Sequence, residues 1–151
     1  MCGIAGFISP QAQEGTNYAT VNLMVNKIRH RGPDRQSAWI DDEVGIALGH
    51  ARLSILDLST YGDQPMVSPS GQFVIVYNGE IYNHLELRKQ LPSIAWQGTS
   101  DTETLISAID IWGLENTVKK LVGMFAFALF DRQSKKLFLV RDRFGEKPLY
   151  Y

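Results

Sequence analysis

Cys2 is the only cysteine in the 151-residue chain, and it stands directly behind Met1. Methionine is normally trimmed when the next residue is small, which leaves Cys2 with a thiol and a free α-amine. A thiol attacks as the thiolate and needs a base. An α-amine titrates at about 7.7–8.0 and lies within a few bonds of that sulfur. Nucleophile and base can then belong to one residue. A lone cysteine is more commonly a small buried hydrophobe. Position 2, with glycines at 3 and 6 that let other backbone come close, separates this one from the common case.

A thiolate that attacks a carboxamide needs preorganised N–H donors for the oxyanion. Asn78-Gly79 offers a side-chain amide and a backbone N–H with no side chain in the way, although Asn-Gly is also the strongest short hairpin signal. A zwitterionic amino acid needs a guanidinium fork for its carboxylate and carboxylates for its ammonium. Arg52 ends the apolar run 45–51, an odd place for a charge unless it faces a cleft. Glu80 follows the Asn-Gly pair, and Asp101 stands where a helix begins. Plainer readings stay open for both kinds: a solvated strand-end charge for Arg52, and a favourable anion at a helix N-terminus for Asp101. His30, His50 and His84 lack ligand spacing, and one cysteine cannot build a structural zinc site. No glycine-rich phosphate loop occurs.

Composition narrows the field. A formal net charge of −1 gives no electrostatic case for nucleic acid or an anionic membrane. One cysteine cannot form an internal disulfide, which fits a reducing compartment. No apolar run approaches membrane-spanning length, and residues 4–8 are too short for a signal peptide. The expectation is one cytoplasmic domain.

The elements that must position these residues follow from periodicity. Ile4 to Ile8 reads as a buried strand, and Gln11 to Thr16 as a loop. Val21, Met24, Val25 and Ile28 mark a helix over Tyr18 to Arg29, ended by the turn chemistry of residues 31–34. Ser37 to Ile40 and Val44 to Ala51 are strands joined across 41–43, and Phe73 to Tyr77 is a core strand. Asn83 caps a helix through Leu91. Ser100 and Glu103 match a capping box, with Leu105, Ala108, Ile109 and Trp112 behind it and Gly113 at the end. A short helix carries Val118, Leu121 and Val122. Met124 to Phe130 and Lys136 to Val140 form a hairpin. Neighbouring strands are mostly hairpin-linked, so the sheets should be mainly antiparallel, with helices on the outsides of stacked sheets.

Six blocks then occur in order: Met-Cys-Gly-Ile-Ala-Gly-Phe at 1–7, His-Arg-Gly-Pro-Asp at 30–34, Gly-His-Ala-Arg-Leu-Ser-Ile at 49–55, Tyr-Asn-Gly-Glu-Ile-Tyr-Asn at 77–83, Ser-Asp-Thr-Glu at 100–103 and Arg-Asp-Arg-Phe-Gly-Glu-Lys-Pro-Leu-Tyr-Tyr at 141–151. This series resembles the N-terminal glutaminase domain of glutamine-hydrolysing asparagine synthetases, a class II glutamine amidotransferase with the N-terminal-nucleophile hydrolase fold. The resemblance implies an α+β fold, a four-layer α–β–β–α sandwich of two mainly antiparallel sheets, over residues 1–151. It implies that Cys2 forms a γ-glutamyl thioester with its own amine as proton shuttle, and that Asn78 and Gly79 make the oxyanion hole. It further implies that Arg52 pairs with the glutamine α-carboxylate, that Glu80 and Asp101 take its α-ammonium, and that backbone near Leu53 and Ile55 lines the pocket. Residues 30–34 become the turn facing the nucleophile, where Arg31 only supports the loop.

The family continues into a synthetase domain with a Ser-Gly-Gly-x-Asp-Ser loop for ATP, and the chain contains no such loop. The expectation is therefore a glutaminase part cut short in a strand, leaving a sheet short at its C-terminal edge. The resemblance implies no cofactor for this chain, ATP and magnesium belonging to the absent domain. Implied partners are free glutamine and a synthetase domain in cis or as a separate subunit. A homodimer is compatible; nucleic acid and membrane are not expected. Two other readings remain: the glutaminase half of a class II amidotransferase with another acceptor, such as hexosamine-phosphate synthase, and a catalytically silent binding module.

Overall fold

Side chains alternate across a strand, so each strand of this chain sends every second residue to one of two cores. The computed structural model describes residues 2–9, 16–92 and 94–151. In chain order the elements are β1 (Gly3–Ile8), α1 (Thr16–Lys27), β2 (Arg35–Asp41), β3 (Ile46–Arg52), β4 (Met66–Val67), β5 (Phe73–Ile81), α2 (His84–Gln90), α3 (Asp101–Trp112), α4 (Leu114–Lys120), β6 (Gly123–Asp131) and β7 (Lys136–Arg141). Single 3₁₀ turns stand at Arg29–Arg31 and Thr60–Gly62. One sheet has the order β1-β3-β2 and the other β4-β5-β6-β7, with every pairing antiparallel.

Three apolar layers glue these elements together. Val21 and Val25 of α1 pack on Ala47 and Ala51 of β3. The opposite face of β3, through Ile46 and Leu48, meets Val74, Val76 and Phe130 of the second sheet. The far face of that sheet, through Ile75, Tyr77, Phe125 and Phe127, packs on Leu87, Leu105, Ile106 and Ile109. The architecture is thus α1, three-stranded sheet, four-stranded sheet, then α2 to α4: the four-layer α+β sandwich. No helix among the described residues is long and apolar enough to cross a membrane.

Most expected elements are present, with ends shifted by a few residues. The first helix runs Thr16–Lys27 and gives way to the 3₁₀ turn, while the loop expected at 11–16 lies mostly outside the described residues. Ser100 caps α3 by accepting the Glu103 N–H at 3.2 Å. Glu103 does not reciprocate; its carboxylate accepts from the N–H groups of Gln97 and Gly98 at 2.8 and 3.0 Å and pairs with Arg88. Arg88 also donates to the carbonyls of Gly98 and Ser100, so α2 braces the start of α3. Gly113, at φ 79°, ends that helix in the left-handed region open to glycine.

Asn78-Gly79 does not turn the chain. Both residues lie inside β5, opposite Ala126 and Phe125. Glycine stands here because β6 comes close: a Cβ at Gly79 would lie 2.3 Å from the Met124 carbonyl oxygen and 2.7 Å from the Phe125 Cα. Backbone cannot yield there as a flexible side chain could. Gly79→Ala is expected to destabilise the fold by about 1–3 kcal/mol, the usual cost of overpacking, as read by urea unfolding.

Candidate active site

The same alternation that builds the inter-sheet core delivers polar groups at one end of it. On β3, Arg52 follows Ile46, Leu48 and His50 on the face turned toward the second sheet. On β5, Asn78 and Glu80 follow Val74 and Val76 on the face turned back. Cys2 precedes β1 beside this end. A cleft of about 160 Å³ opens there, and its walls include Cys2, Arg52, Leu53, Ile55, Asn78, Gly79, Glu80 and Asp101. The structure therefore brings together every residue the sequence singled out for chemistry or binding.

The Cys2 sulfur meets the first backbone past β3: the Leu53 N–H lies 3.4 Å from Sγ, and the thiol lies 3.6 Å from the Leu53 carbonyl. Arg31 donates from Nε to the Cys2 carbonyl at 3.2 Å, which fixes the Cys2 backbone from the His-Arg-Gly-Pro-Asp turn. Asp34 of the same turn accepts the Ser54 N–H at 2.7 Å. Met1 lies outside the described residues.

Arg52 is buried and heavily used. Nη1 donates to the Ser59 carbonyl at 2.7 Å and to Asp63 at 2.6 Å, and Nη2 donates to the Asp57 carbonyl. A guanidinium carries five N–H donors; the Nε–H and one Nη2 hydrogen have no acceptor among the described residues. Gly62 lets the loop lie flat on this group, since a Cβ there would stand 2.2 Å from Nη2. Asp57 closes the same loop by accepting from Ser59 N–H and Oγ and from Thr99 N–H at 2.6–2.8 Å. Burial pushes the Asp57 carboxyl up, but these bonds and the Arg52 charge outweigh it and hold the group at about 2.

On the other wall, the Asn78 side chain is buried, lines the cleft and has no hydrogen-bond partner among the described residues. Phe125, opposite Gly79, directs its N–H to Asp142 Oδ2 and its carbonyl to the Asp142 N–H. Gly79 and Phe125 are therefore a non-hydrogen-bonded pair of the β5–β6 ladder, and the Gly79 N–H points to the edge of β5 away from β6. On that edge the Tyr77 N–H meets Gln64 Oε1 at 2.6 Å and the Ile81 N–H meets Asp101 Oδ2 at 2.9 Å. The donor between them belongs to Gly79. β4 pairs only with Val74 and Ile75, so no strand among the described residues covers this edge of β5.

Sequence reasoning did not single out Gln64, Tyr77, Thr102, Met124 or Lys147, all of which line the cleft. Lys147 is brought there by Asp142, whose carboxylate accepts four N–H groups, from Phe125, Phe144, Glu146 and Lys147. Burial raises the Asp142 carboxyl, and these four donors more than reverse it, so it stays below the ordinary range. The signal lay in the Arg-Asp-Arg-Phe-Gly-Glu-Lys-Pro block, which marks the segment without saying where it folds. His50 is buried between the sheets and donates from Nε2 to the Tyr77 carbonyl at 3.2 Å. Burial and the Arg52 charge, against that bond, lower it to about 4, so the ring is neutral at ordinary pH. No group of three or more His, Cys, Asp or Glu among the described residues could hold a metal ion.

Chemically, the cleft can present a thiol, two donors with no acceptor among the described residues, a buried guanidinium and two carboxylates within one small volume. Comparison with known proteins agrees with that set of groups. The glutamine amidotransferase domain family matches residues 1–151. The glutamine-hydrolysing asparagine synthetase 2 of Bacillus subtilis is 43% identical over all of this chain, which covers 20% of that protein. Asparagine synthetase 3 of the same organism is 39% identical over all of the chain and 25% of its own length. The amidase chry2 of Gibberella zeae is 38% identical over all of the chain and 24% of its own. The chain thus spans about a quarter or less of these relatives.

The Asp57 geometry makes a pH prediction. Its folded-state carboxyl lies below its unfolded value of about 4, so its contribution to stability is fully present above pH 4 and lost as pH falls through about 2. Asp57→Asn should cost about 1–3 kcal/mol at pH 7, the scale for hydrogen bonds to a buried charge. It should also flatten the fall of stability between pH 4 and pH 2 in urea unfolding.

Proposed function

The chain belongs to the glutamine amidotransferase domain family, and we propose on that footing that it hydrolyses free glutamine to glutamate and ammonia. The observation that carries this reading is the single cleft shared by Cys2, Arg52, Asn78, Gly79, Glu80 and Asp101. Those charges mirror free glutamine, whose α-carboxylate and α-ammonium are both ionised. A glutamine inside a polypeptide has neither charge, so the cleft selects the free amino acid. The two remaining donors of Arg52 take the carboxylate, and Glu80 with Asp101 takes the ammonium.

With Met1 removed, the Cys2 α-amine accepts the thiol proton, and the thiolate attacks the γ-carboxamide carbon. Asn78 Nδ2 and the Gly79 N–H receive the oxyanion, a role that suits donors with no acceptor among the described residues. The amine returns its proton to the leaving nitrogen as the C–N bond breaks, releasing ammonia and leaving a γ-glutamyl thioester. The same amine then takes a proton from water, which attacks the thioester carbonyl; glutamate leaves and the thiol is restored.

The ammonia goes to an acceptor site in a synthetase domain, in cis or on a separate subunit. Relatives named as asparagine synthetases favour an activated aspartate as that acceptor. A second reading, with another acceptor, is favoured by the relative named an amidase.

Mass spectrometry of the purified protein should show a chain that begins at Cys2; retained Met1 leaves the thiol without its base and favours the silent module. Cys2→Ala should abolish glutamate release from glutamine. Asn78→Ala should lower kcat by roughly a hundredfold or more, the scale for one oxyanion donor; a near-neutral effect removes Asn78 from the oxyanion hole.

A further inference from the structure

Tyr77 lines the cleft but does not share the face of β5 that carries Asn78 and Glu80. Its side chain leaves β5 on the face opposite Asn78 and is buried in the helix-side core with Ile75, Leu105 and Phe125. Phenylalanine would fill such a site without a hydroxyl to desolvate. The hydroxyl serves a single contact. It donates to Asp101 Oδ2 at 2.6 Å, and the Ile81 N–H donates to the same oxygen at 2.9 Å. Burial first, and the Asp101 charge second, raise the phenol well above its ordinary range, so it remains a donor at any working pH.

Two donors on Oδ2 fix the rotation of the Asp101 carboxyl. Oδ1 has no partner among the described residues and is left for the cleft that Asp101 lines. Further hydrogen bonds tie the backbone around this pair. Gln64 accepts the Tyr77 N–H at 2.6 Å and donates to Thr102, the residue after Asp101, at 3.1 Å. His50 holds the Tyr77 carbonyl from the other sheet. Strand, helix start and carboxylate are thus tied into one unit through Tyr77.

We propose that Tyr77 is a positioning residue for substrate selection: it holds Asp101 so that Oδ1 receives the substrate's α-ammonium, and it thereby sets the preference for an amino acid over the same carboxamide without that ammonium. The inference rests on the glutamine reading above. It assigns Tyr77 no contact with the reacting atoms.

The test compares L-glutamine with glutaramate, which is glutamine lacking the α-ammonium. Binding of each to the Cys2→Ala protein is measured by calorimetry, with and without Tyr77→Phe, and hydrolysis is measured in the protein with Cys2 intact. Tyr77→Phe should weaken glutamine binding about tenfold, raise KM by a similar factor with kcat within twofold, and leave glutaramate binding unchanged. In an Asp101→Asn background, Tyr77→Phe should change neither ligand further. Equal weakening of both ligands would show a merely structural hydroxyl and overturn the proposal, as would unaltered glutamine binding. If the Cys2→Ala protein with native Tyr77 binds no glutamine and the unaltered protein releases no glutamate, the glutamine reading itself falls, before Tyr77 has been touched, and the role assigned to Tyr77 falls with it.

Discussion

The contact on which the rest depends is the face-to-face packing of the two sheets through Ile46, Leu48, Val74, Val76 and Phe130. It is an apolar layer, and its strength scales with the area it takes from water rather than with any directed bond. Direction comes from the strands. With a period of two, whichever residues continue the inward series past the apolar ones must also face inward. Arg52 on one sheet and Asn78 and Glu80 on the other are those continuations. A register slip of one residue in β5 would bury Gly79 between the sheets and turn Asn78 into the helix-side core.

The polar end of this layer is costly to desolvate, and the fold offsets that locally. Arg52 is wrapped by the loop from Leu53 to Asp63, whose carbonyls and one carboxylate satisfy three of its donors. Asp57 fastens that loop to Thr99, just ahead of α3. On the other side, Arg88 ties α2 to the same approach and stacks 4.1 Å over the Trp96 ring. Cleft-facing groups are thereby held by neighbours that finish their hydrogen bonding elsewhere, as preorganised sites require.

Much of this was legible in the chain, and what was not has a physical reason. Hydrophobic periodicity located α1 and α3 because each packs an apolar stripe on a core, whereas β6 and β7, with apolar side chains packed on both faces, were legible as apolar runs flanking the polar turn 131–135. The ordered blocks pointed to all eight expected cleft residues. The Asn-Gly pair misled as a turn signal because its dipeptide preference is local, whereas the close approach of Met124 and Phe125 that demands glycine comes from far along the chain. The capping box was half right: Ser100 caps, but Glu103 finds nearer donors at Gln97 and Gly98. Gln64 and Tyr77 escaped notice because their partners, Thr102 and Asp101, lie 38 and 24 residues away. A core tyrosine looks like any other aromatic until its hydroxyl is placed.

The brevity of β4 reaches beyond the cleft it opens. An unpaired strand edge is a template on which a foreign strand can add by main-chain pairing, the usual route to unwanted assembly. Along the uncovered part of β5, however, the Tyr77 and Ile81 donors are already bound to Gln64 and Asp101. An intruding strand would find one donor out of three, too few to zip. The side chains that frame the cleft therefore also deny this stretch of β5 to an added strand, and loosening either one would return its donor to the edge.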